Sequence, residues 1–464
     1  MSFFIKGKRN LSKSKFSKDT AKKRKLNKKQ IQKDLEEELS SGSDDVPVAT
    51  SKAVDEEIES SDDESETAQE KKLRLAKIYL DEIAKREKKK LEDVEDEEEG
   101  SQSVAKILKE DYLRSAGKLH TTVADEYAGA DVSSITVMRC KSHRGCITSL
   151  CVTNEFIFTG SKDGTIVKWS LNEGKKVGCI PFSKYHAISN KVSGHSKMIT
   201  GLAVSSDEKF LAASDSTRNI QVWDPDTLAH IETLKGHQDA VTGLAFRKNT
   251  RTLYSCSKDR SVKVWSLDEM AYIETLYGHQ SNITSIDALT RERAITSGGS
   301  DGTIRVWKIV EESQLIYNGP LASIDIVKLL NEETFISGSS DGAINIWSAS
   351  KKKPLCTYKE AHGSNPTTKE PYWICSVATL INTDLIATGS QDGHIKFWKL
   401  SDNFKSINLL FAVDVMGFIN DLSFTEGGKY LIACVGNEHK LGRWNIIKDA
   451  KNSVLKIPLV MKKD

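Results

Sequence analysis

Histidine, serine and aspartate recur together in this chain, and these three residue types can form a hydrolytic triad. His237 is followed by Ser255 and Asp259, and His279 is followed by Asp301 at the same His-to-Asp separation. A catalytic site occurs once in a chain, whereas this set is repeated at fixed spacing. We therefore interpret these residues as architectural and predict that the protein is not an enzyme.

A tryptophan follows each of these Asp residues, which indicates what the repeated set does. We expect the Asp to bind backbone N–H groups and the His, the His to reach a Ser or Thr, and that hydroxyl to accept from the Trp indole. Such a network satisfies polar groups that packing would otherwise bury without partners. The predicted members are His237, Ser255, Asp259 and Trp265 in one repeat, and His279, Ser297, Asp301 and Trp307 in the next.

The tryptophans reveal the period of the repeat. Seven of the eight stand at positions 169, 223, 265, 307, 347, 398 and 444. This is the WD-repeat period with two insertions. Each repeat supplies short strands with alternating apolar residues, as in Val241, Leu244 and Phe246, and stacking such sheets in a ring buries their faces. The sequence predicts an all-β, seven-bladed WD40 β-propeller over residues 133–460.

Several repeats depart from the consensus, and we expect their blades to rely on packing and their loops to be freer for contacts. Blade seven is predicted to end at Trp444. The departures are Ala213 and Thr217 in blade two, Gly319-Pro320 in blade five, Glu370 at the His position of blade six, and Cys434 and Glu438 in blade seven.

Two features of the ring stay open at this point. Either Ser134–Arg139 or Ser453–Val460 could add the outer strand that closes blade seven. The two long insertions, at about 174–192 and 352–372, are also candidates for function, because unusually long loops in compact domains often carry it.

The charge distribution divides the chain. Residues 1–33 hold 13 Lys/Arg against one acidic residue, residues 34–132 hold 14 against 30, and the remainder holds 40 against 34. We expect a disordered tail over 1–65, first basic and then acidic, because it is too polar to fold. A compact basic run predicts nuclear import; its residues are Lys22, Lys23, Arg24, Lys25, Lys28 and Lys29.

Residues 66–127 are predicted to contain helical segments. Thr67 and Glu70 have capping-box spacing ahead of an apolar pattern that ends near Lys90. A second helical pattern runs from Val104 to Tyr112. Isolated helices of this length are marginal in water, so we expect both to dock on the propeller or on another macromolecule.

Other classes of protein find little support. The eight cysteines show neither CxxC nor zinc-finger spacing, and we expect them to be reduced thiols. No phosphate loop or metal-ligand set is present, so we expect no cofactor and no small-molecule substrate. No apolar run reaches the roughly 18 residues of a membrane span.

Motifs outside the generic repeat narrow the family. They are ETAQEKKLRLAKIYL (66–80), LKEDYLRSAGKLHTTVA (108–124), DAVTGLAF (239–246), LINTDLIATGS (380–390), GFINDLSF (417–424) and VGNEHKLGRWN (435–445). Together they resemble the WD-repeat subunit of the U3 small nucleolar ribonucleoprotein. The resemblance implies binding to the box B/C region of U3 small nucleolar RNA beside a kink-turn-binding core protein. It also implies a place in the nucleolar small-subunit processome, which matures 18S ribosomal RNA.

Basic residues near the turns are the candidates for contacts with RNA or partners: Lys162, Arg218, Lys258, Arg260 and Arg443. The alternative is a nuclear peptide-reading scaffold or ubiquitin-ligase substrate receptor, which would present an acidic or aromatic rim. The residues just before the turn Asp do not form such a rim; they are Lys162, Lys258, Ser300, Ser340 and Gln391.

Overall fold

The computed structural model describes residues 74, 109–110, 112–113, 119–183, 194–319, 322–366 and 368–462. The chain divides into two compact units, Met1–Glu82 and Ile83–Asp464. In the first, the one described residue, Arg74, is helical; in the second, Lys109, Glu110, Tyr112 and Leu113 are helical. The rest of both predicted helices, the predicted disordered tail and the basic run at 22–29 lie outside the described residues.

The described part of the second unit contains seven antiparallel sheets, which confirms the predicted propeller. In blades one to six, four consecutive strands run from the innermost to the outermost position. Blade one contains β3 Ile147–Val152, β4 Phe156–Ser161, β5 Ile166–Ser170 and β6 Lys176–Ile180; blade two β7 Ile199–Val204, β8 Leu211–Asp215, β9 Asn219–Trp223 and β10 His230–Lys235; blade three β11 Val241–Phe246, β12 Thr252–Ser257, β13 Ser261–Ser266 and β14 Ala271–Tyr277.

The same arrangement continues around the ring. Blade four contains β15 Ser285–Ala288, β16 Arg293–Ser297, β17 Thr303–Lys308 and β18 Ser313–Asn318; blade five β19 Ile324–Leu329, β20 Thr334–Ser339, β21 Ile344–Ser348 and β22 Lys351–Tyr358; blade six β23 Ser376–Thr379, β24 Leu385–Gly389, β25 His394–Leu400 and β26 Ile407–Asp414. Blade seven has β27 Phe418–Phe424, β28 Tyr430–Gly436 and β29 Ser453–Met461, joined by β1 Tyr127–Ala130 and β2 Thr136–Met138.

Both chain ends close the ring. The C-terminal β29 is the third strand of blade seven, and the N-terminal β1 and β2 pair with its outer edge. Val137 pairs with Leu455 and Ala130 with Leu459. The two alternatives left open by the sequence are therefore combined in one sheet, with β1 and β2 flanking the 3-10 helix Val132–Ser134.

The segment before β1 lies along blade six. The carboxylate of Asp384 accepts hydrogen bonds from the backbone N–H groups of Val123 and Ala124, at 2.7 and 2.9 Å. Ala124 begins the 3-10 helix Ala124–Glu126 and is fully buried. The packed body thus extends beyond the residue-133 boundary predicted for the propeller.

The core is distributed between the blades. The described residues form seven apolar clusters, each built mainly from two neighbouring blades. Trp265 of blade three, for example, packs in one cluster with Val222 of blade two. A single sheet leaves both faces exposed, so each blade depends on its neighbours for burial.

Polar side chains of the innermost strands join the blades at one level of the channel. The hydroxyls of Thr148, Thr200, Thr242 and Thr284 each donate to a carbonyl at or just before the start of the first strand in the next blade, at 2.6–2.8 Å. In blade six, Ser376 lies one residue further along its strand and donates to the carbonyl of Ile419 in blade seven, at 2.9 Å. The amide of Asn420 in blade seven donates to the Ile147 carbonyl of blade one, also at 2.9 Å. We call these six residues the donor ring.

Candidate nucleic-acid interface

The predicted network is complete in blade three. His237 contacts Asp259 through Nδ1 at 2.9 Å and Ser255 through Nε2 at 2.7 Å, and the Trp265 indole donates to Ser255 at 2.8 Å. Burial opposes ionisation of Asp259, but hydrogen bonds from His237 and Ser261 outweigh it and lower the pKa of that carboxyl. All these polar atoms are occupied internally, in line with the architectural interpretation.

Blade four corrects one predicted residue. The hydroxyl between His279 and Trp307 belongs to Thr296, at 2.8 Å from each, and not to Ser297. The turn before Asp301 is one residue longer than in blade three, and Gly299 takes a positive φ of 53° within it. Because adjacent strand residues face opposite sides, Ser297 points away and bonds Thr284 at 2.8 Å.

Blades two and six also differ from expectation. In blade six the network histidine is His362, which contacts Asp392 and Thr388 at 2.8 and 2.9 Å, whereas Glu370 was predicted there. His362 lies 30 residues before Asp392, whereas His237 lies 22 residues before Asp259. The inserted residues follow the His, so counting back 22 residues from Asp392 reaches Glu370 instead.

In blade two, Asp215 pairs with His195 at 3.3 Å although Thr217 occupies the usual turn position. Ala213 supplies no hydroxyl, and the buried Trp223 indole nitrogen has no partner among the described residues. Blade two therefore keeps the His–Asp pair and loses the Trp hydrogen bond.

Blade seven contains the largest correction. Trp444 is not a core residue of the blade: it is 62% exposed and lies in the insertion 437–452 between β28 and β29. The third strand comes from the C-terminal β29, which has no tryptophan. Trp444 instead meets Trp373 and His439, with ring centroids 5.7 and 5.5 Å away. The rings of Trp373 and His439 stack at 4.4 Å. We call Trp373, His439 and Trp444 the aromatic cluster.

Lys162 anchors the insertion. Its Nζ forms an ion pair with Glu438 at 2.8 Å and donates to the carbonyls of His439 and Gly442 at 2.8 and 3.3 Å. Only 13% of the Lys162 side chain is exposed. Arg443 pairs with the same carboxylate at 3.0 Å but remains 76% exposed. Of these two contact candidates, Lys162 is used internally and Arg443 faces solvent.

The remaining candidates lie on one face of the ring. This turn face is formed by the turns between second and third strands and by the loops that enter each innermost strand. Arg218, Lys258 and Arg260 are exposed there and form no ion pair with a described carboxylate. Lys141, Arg144 and Lys197, which the sequence analysis missed, are exposed on the same face. We call these six residues the basic arc; they span blades one to three.

A cavity of about 400 Å³ opens at the mouth of the channel on the turn face. Met198, Ala240 and Ile283 contribute apolar surface, and Leu441 and Trp373 border it from the insertion and the entry to blade six. The basic arc and the aromatic cluster therefore meet at one opening, because Lys258 and His439 also line it. Cationic side chains beside stacked rings are the combination that binds single-stranded nucleic acid.

Alternative chemistry has no support in the described part of the chain. No group of three or more His, Cys, Asp or Glu side chains is placed to hold a metal ion there. The eight cysteines are unpaired thiols, and burial raises the pKa of Cys256 and Cys375 to about 12. No described helix is long and apolar enough to cross a bilayer.

Comparison with known proteins identifies the family. The family described as "WD domain, G-beta repeat" matches residues 134–170, 187–224, 229–266, 270–308 and 353–399. A protein of Mus musculus named U3 small nucleolar RNA-interacting protein 2 is 48% identical over 398 residues, covering 85% of this chain and 82% of the mouse protein. The Homo sapiens protein of that name is 47% identical with the same coverage. This chain belongs to the U3 small nucleolar RNA-interacting protein 2 family.

Solved structures of similar chains agree with this family. "Crystal structure of RRP9 WD40 repeats" is 46% identical, with a TM-score of 0.69, and covers 72% of this chain and 100% of that chain. "Structure of U3-55K" is 47% identical, with a TM-score of 0.68, and covers 71% and 100% respectively. Both solved chains share the propeller fold described above over their whole length.

Proposed function

We propose that this protein is a non-catalytic subunit of the U3 small nucleolar ribonucleoprotein and binds U3 RNA through the turn face. The identity of 47–48% over 85% of the chain to proteins named for their interaction with this RNA carries the proposal. The basic arc and the aromatic cluster supply a physical means of contact. Phosphate contacts give affinity, while aromatic rings stack on unpaired bases.

The cellular setting follows from the same proposal. The protein acts in the nucleolus, within the small-subunit processome, in maturation of 18S ribosomal RNA. It binds the box B/C region beside the kink-turn-binding core protein and other processome proteins. The basic run Lys22–Lys29 provides nuclear import. Because basic and acidic residues of the propeller region are nearly balanced, shape and partner contacts contribute to selectivity beyond bulk charge.

A binding measurement with matched charge variants tests the proposal. The full chain is titrated with U3 RNA and with another box C/D RNA, with the core protein present in both. Changing Arg218, Lys258 and Arg260 to Gln should weaken U3 binding at least tenfold. The slope of log affinity against log salt concentration should also become shallower, by the amount expected for up to three lost phosphate contacts.

The control removes the same charge from the opposite face. Lys175, Lys405 and Lys429 are exposed in turns on that side, and their change to Gln should leave U3 affinity within about twofold. Equal losses in the two triple variants would show that charge, and not the turn face, determines binding. Equal affinity for U3 and the other box C/D RNA would refute a U3-specific role.

A further inference from the structure

The donor ring is interrupted at one blade. At the position occupied by Thr or Asn in five other blades, blade five has Asp325, directly after the opening Ile324 of β19. Blade six has Cys375 at this position, and its neighbour Ser376 donates in its place. An ionised carboxylate has no proton to donate, so it cannot bond the carbonyl of Ile374 in blade six as the other six residues bond theirs. Its one hydrogen bond in the described structure is accepted from the Ser323 hydroxyl at 2.7 Å.

Asp325 lines the cavity at the channel mouth and is partly open to it. Burial raises the pKa of this carboxyl, while nearby Lys440 acts against that change. Beside it in the same cavity is Trp373, whose buried indole nitrogen has no acceptor among the described residues. The cavity thus combines an acceptor that takes no part in the donor ring with the stacked Trp373 and His439 side chains.

We propose that this cavity takes one unstacked guanine base of a bound RNA, with the Asp325 carboxylate accepting from its Watson–Crick edge. This inference rests on the proposed function and adds a specificity determinant to it. Guanine presents two adjacent N–H groups, N1–H and N2–H, which a carboxylate can accept together. Adenine and cytosine each present one amino group on that edge, and uracil presents one ring N–H.

The surrounding charge favours a base over the cationic side chain of a peptide. Lys258 and Lys440 line the same cavity, and the basic arc borders it. An arginine or lysine side chain would enter against these like charges, whereas the phosphates flanking a base would be attracted to them. Trp373 is partly exposed and can offer a ring face to a planar ligand, and its ring is supported by the stacked, buried His439. Burial, with Lys440 and Lys162 nearby, lowers the pKa of His439 to about 3, so its ring is neutral.

The variant Asp325→Asn separates the two roles of this residue. An asparagine can donate to the Ile374 carbonyl, as Asn420 does to Ile147 at 2.9 Å, and would complete the ring. It cannot accept two N–H groups from one base. We therefore expect a gain in melting temperature of about 1–3 °C together with a loss of guanine preference, a combination that misfolding cannot produce.

The test uses the full chain and three fluorescent 12-nucleotide single-stranded RNAs: all adenosine, one central guanosine, and inosine at that position. Inosine keeps N1–H and lacks the N2 amino group. The natural protein should bind the guanosine RNA roughly tenfold more tightly than the adenosine RNA, with inosine between them. Asp325→Asn should bind all three alike. The control Asp414→Asn changes a turn-face carboxylate that is 89% exposed and should keep the preference.

Each result decides the matter. Equal affinity of the natural protein for guanosine and adenosine RNA, or a preserved preference in Asp325→Asn, overturns the guanine site. If U3 binding still depends on the basic arc, the proposed function stands without it; if U3 binding is absent, both fail. Binding of a labelled arginine-rich peptide that is lost in Asp325→Asn, without any guanosine preference, would instead establish a peptide pocket.

Discussion

At the scale of single residues, the repeated His, hydroxyl, Asp and Trp side chains satisfy one another in the interior. In blades three, four and six the His bridges the Asp and the hydroxyl, and the same hydroxyl accepts from the Trp indole. In blade one the His143 Nδ1 meets Thr165 at 2.9 Å, and Asp163 instead accepts from the backbone of Arg144. Blade one tolerates this exchange because His143 and Trp169 still find partners in Thr165 and Thr159.

The corrected hydroxyl of blade four gives a direct comparison. Thr296→Val removes the partner of both His279 and Trp307 and should lower the free energy of unfolding by about 1–3 kcal/mol. Ser297→Ala should cost about 1 kcal/mol or less, because Thr284 keeps its bond to the Ile324 carbonyl at 2.8 Å. Urea unfolding of the two variants measures both values. A larger loss in Ser297→Ala would restore the sequence-based assignment.

Buried histidines make stability depend on pH. Burial is the main cause that lowers the pKa of His143 to about 4 and that of His439 to about 3. In the unfolded chain they titrate near 6.5, so between pH 6.5 and about 4 the unfolded state binds more protons and stability falls as the pH falls. Each histidine should contribute up to about 1.4 kcal/mol per pH unit below the unfolded pKa.

Urea unfolding at pH 7.5 and pH 5.0 checks this prediction, with a lower midpoint expected at pH 5.0. The variant His439→Gln should show a shallower pH dependence, because it keeps only the contribution of the other histidines. An identical midpoint at the two pH values would contradict the predicted direction.

At the scale of elements, the insertion 437–452 determines the character of the turn face. It carries Arg443 and Trp444 to the surface and brings Leu441 to the channel mouth. Its attachment depends on contacts with blade one through Lys162 and on the Lys440 backbone N–H, which donates to Asn420 at 2.9 Å. The position of the aromatic cluster therefore depends on a contact between the first and last blades.

Removing the Lys162 anchor should loosen this insertion without unfolding the ring. In Lys162→Met, the nearly buried Glu438 loses its closest cation, and trypsin should cleave after Lys440 and Arg443 several times faster than in the natural protein. Lys175→Met removes an exposed lysine whose pair with Glu173 spans 3.5 Å, and should leave this cleavage unchanged. Mass spectrometry of the fragments would identify the sites. Unchanged cleavage in Lys162→Met would show that the anchor is dispensable.

At the scale of the whole molecule, the ring is held by seven interfaces and one composite sheet. Blade seven takes β29 from the C-terminal end and β1 and β2 from the N-terminal end, so its formation joins distant parts of the chain. Met138 of β2 is only 2% exposed and packs in the cluster shared by blades seven and one. Closure of the ring therefore stabilises both blade seven and blade one.

Truncation distinguishes the closing strands from the rest of the N-terminal region. Deleting residues 1–118 should leave the melting temperature of the propeller nearly unchanged. Deleting residues 1–139 removes β1 and β2 and should cost at least about 2 kcal/mol, the scale of exposing one buried Met side chain. Thermal unfolding by circular dichroism measures both. Equal melting temperatures would show that β29 alone is sufficient for closure.

The sequence by itself determined the repeat, the number of blades and the architectural role of the His, Asp and Trp residues. These follow from local spacing: a strand of period two, a tight turn and a fixed offset to the next Trp are set within a few tens of residues. Motifs such as VGNEHKLGRWN also indicated the family. Counting residues within a repeat gave the wrong residue where an insertion changes the spacing, at Glu370 in blade six and at Ser297 in blade four.

Only the tertiary structure decided which residues meet across the ring. Trp444 has the spacing of a core tryptophan. However, β29 forms the third strand of blade seven, where that tryptophan would lie, so the Trp444 indole remains exposed. Lys162 and Glu438 are 276 positions apart and become partners because the last blade closes against the first. The significance of Asp325 likewise depends on six side chains in other blades, since non-local contacts are fixed by closure and not by sequence separation.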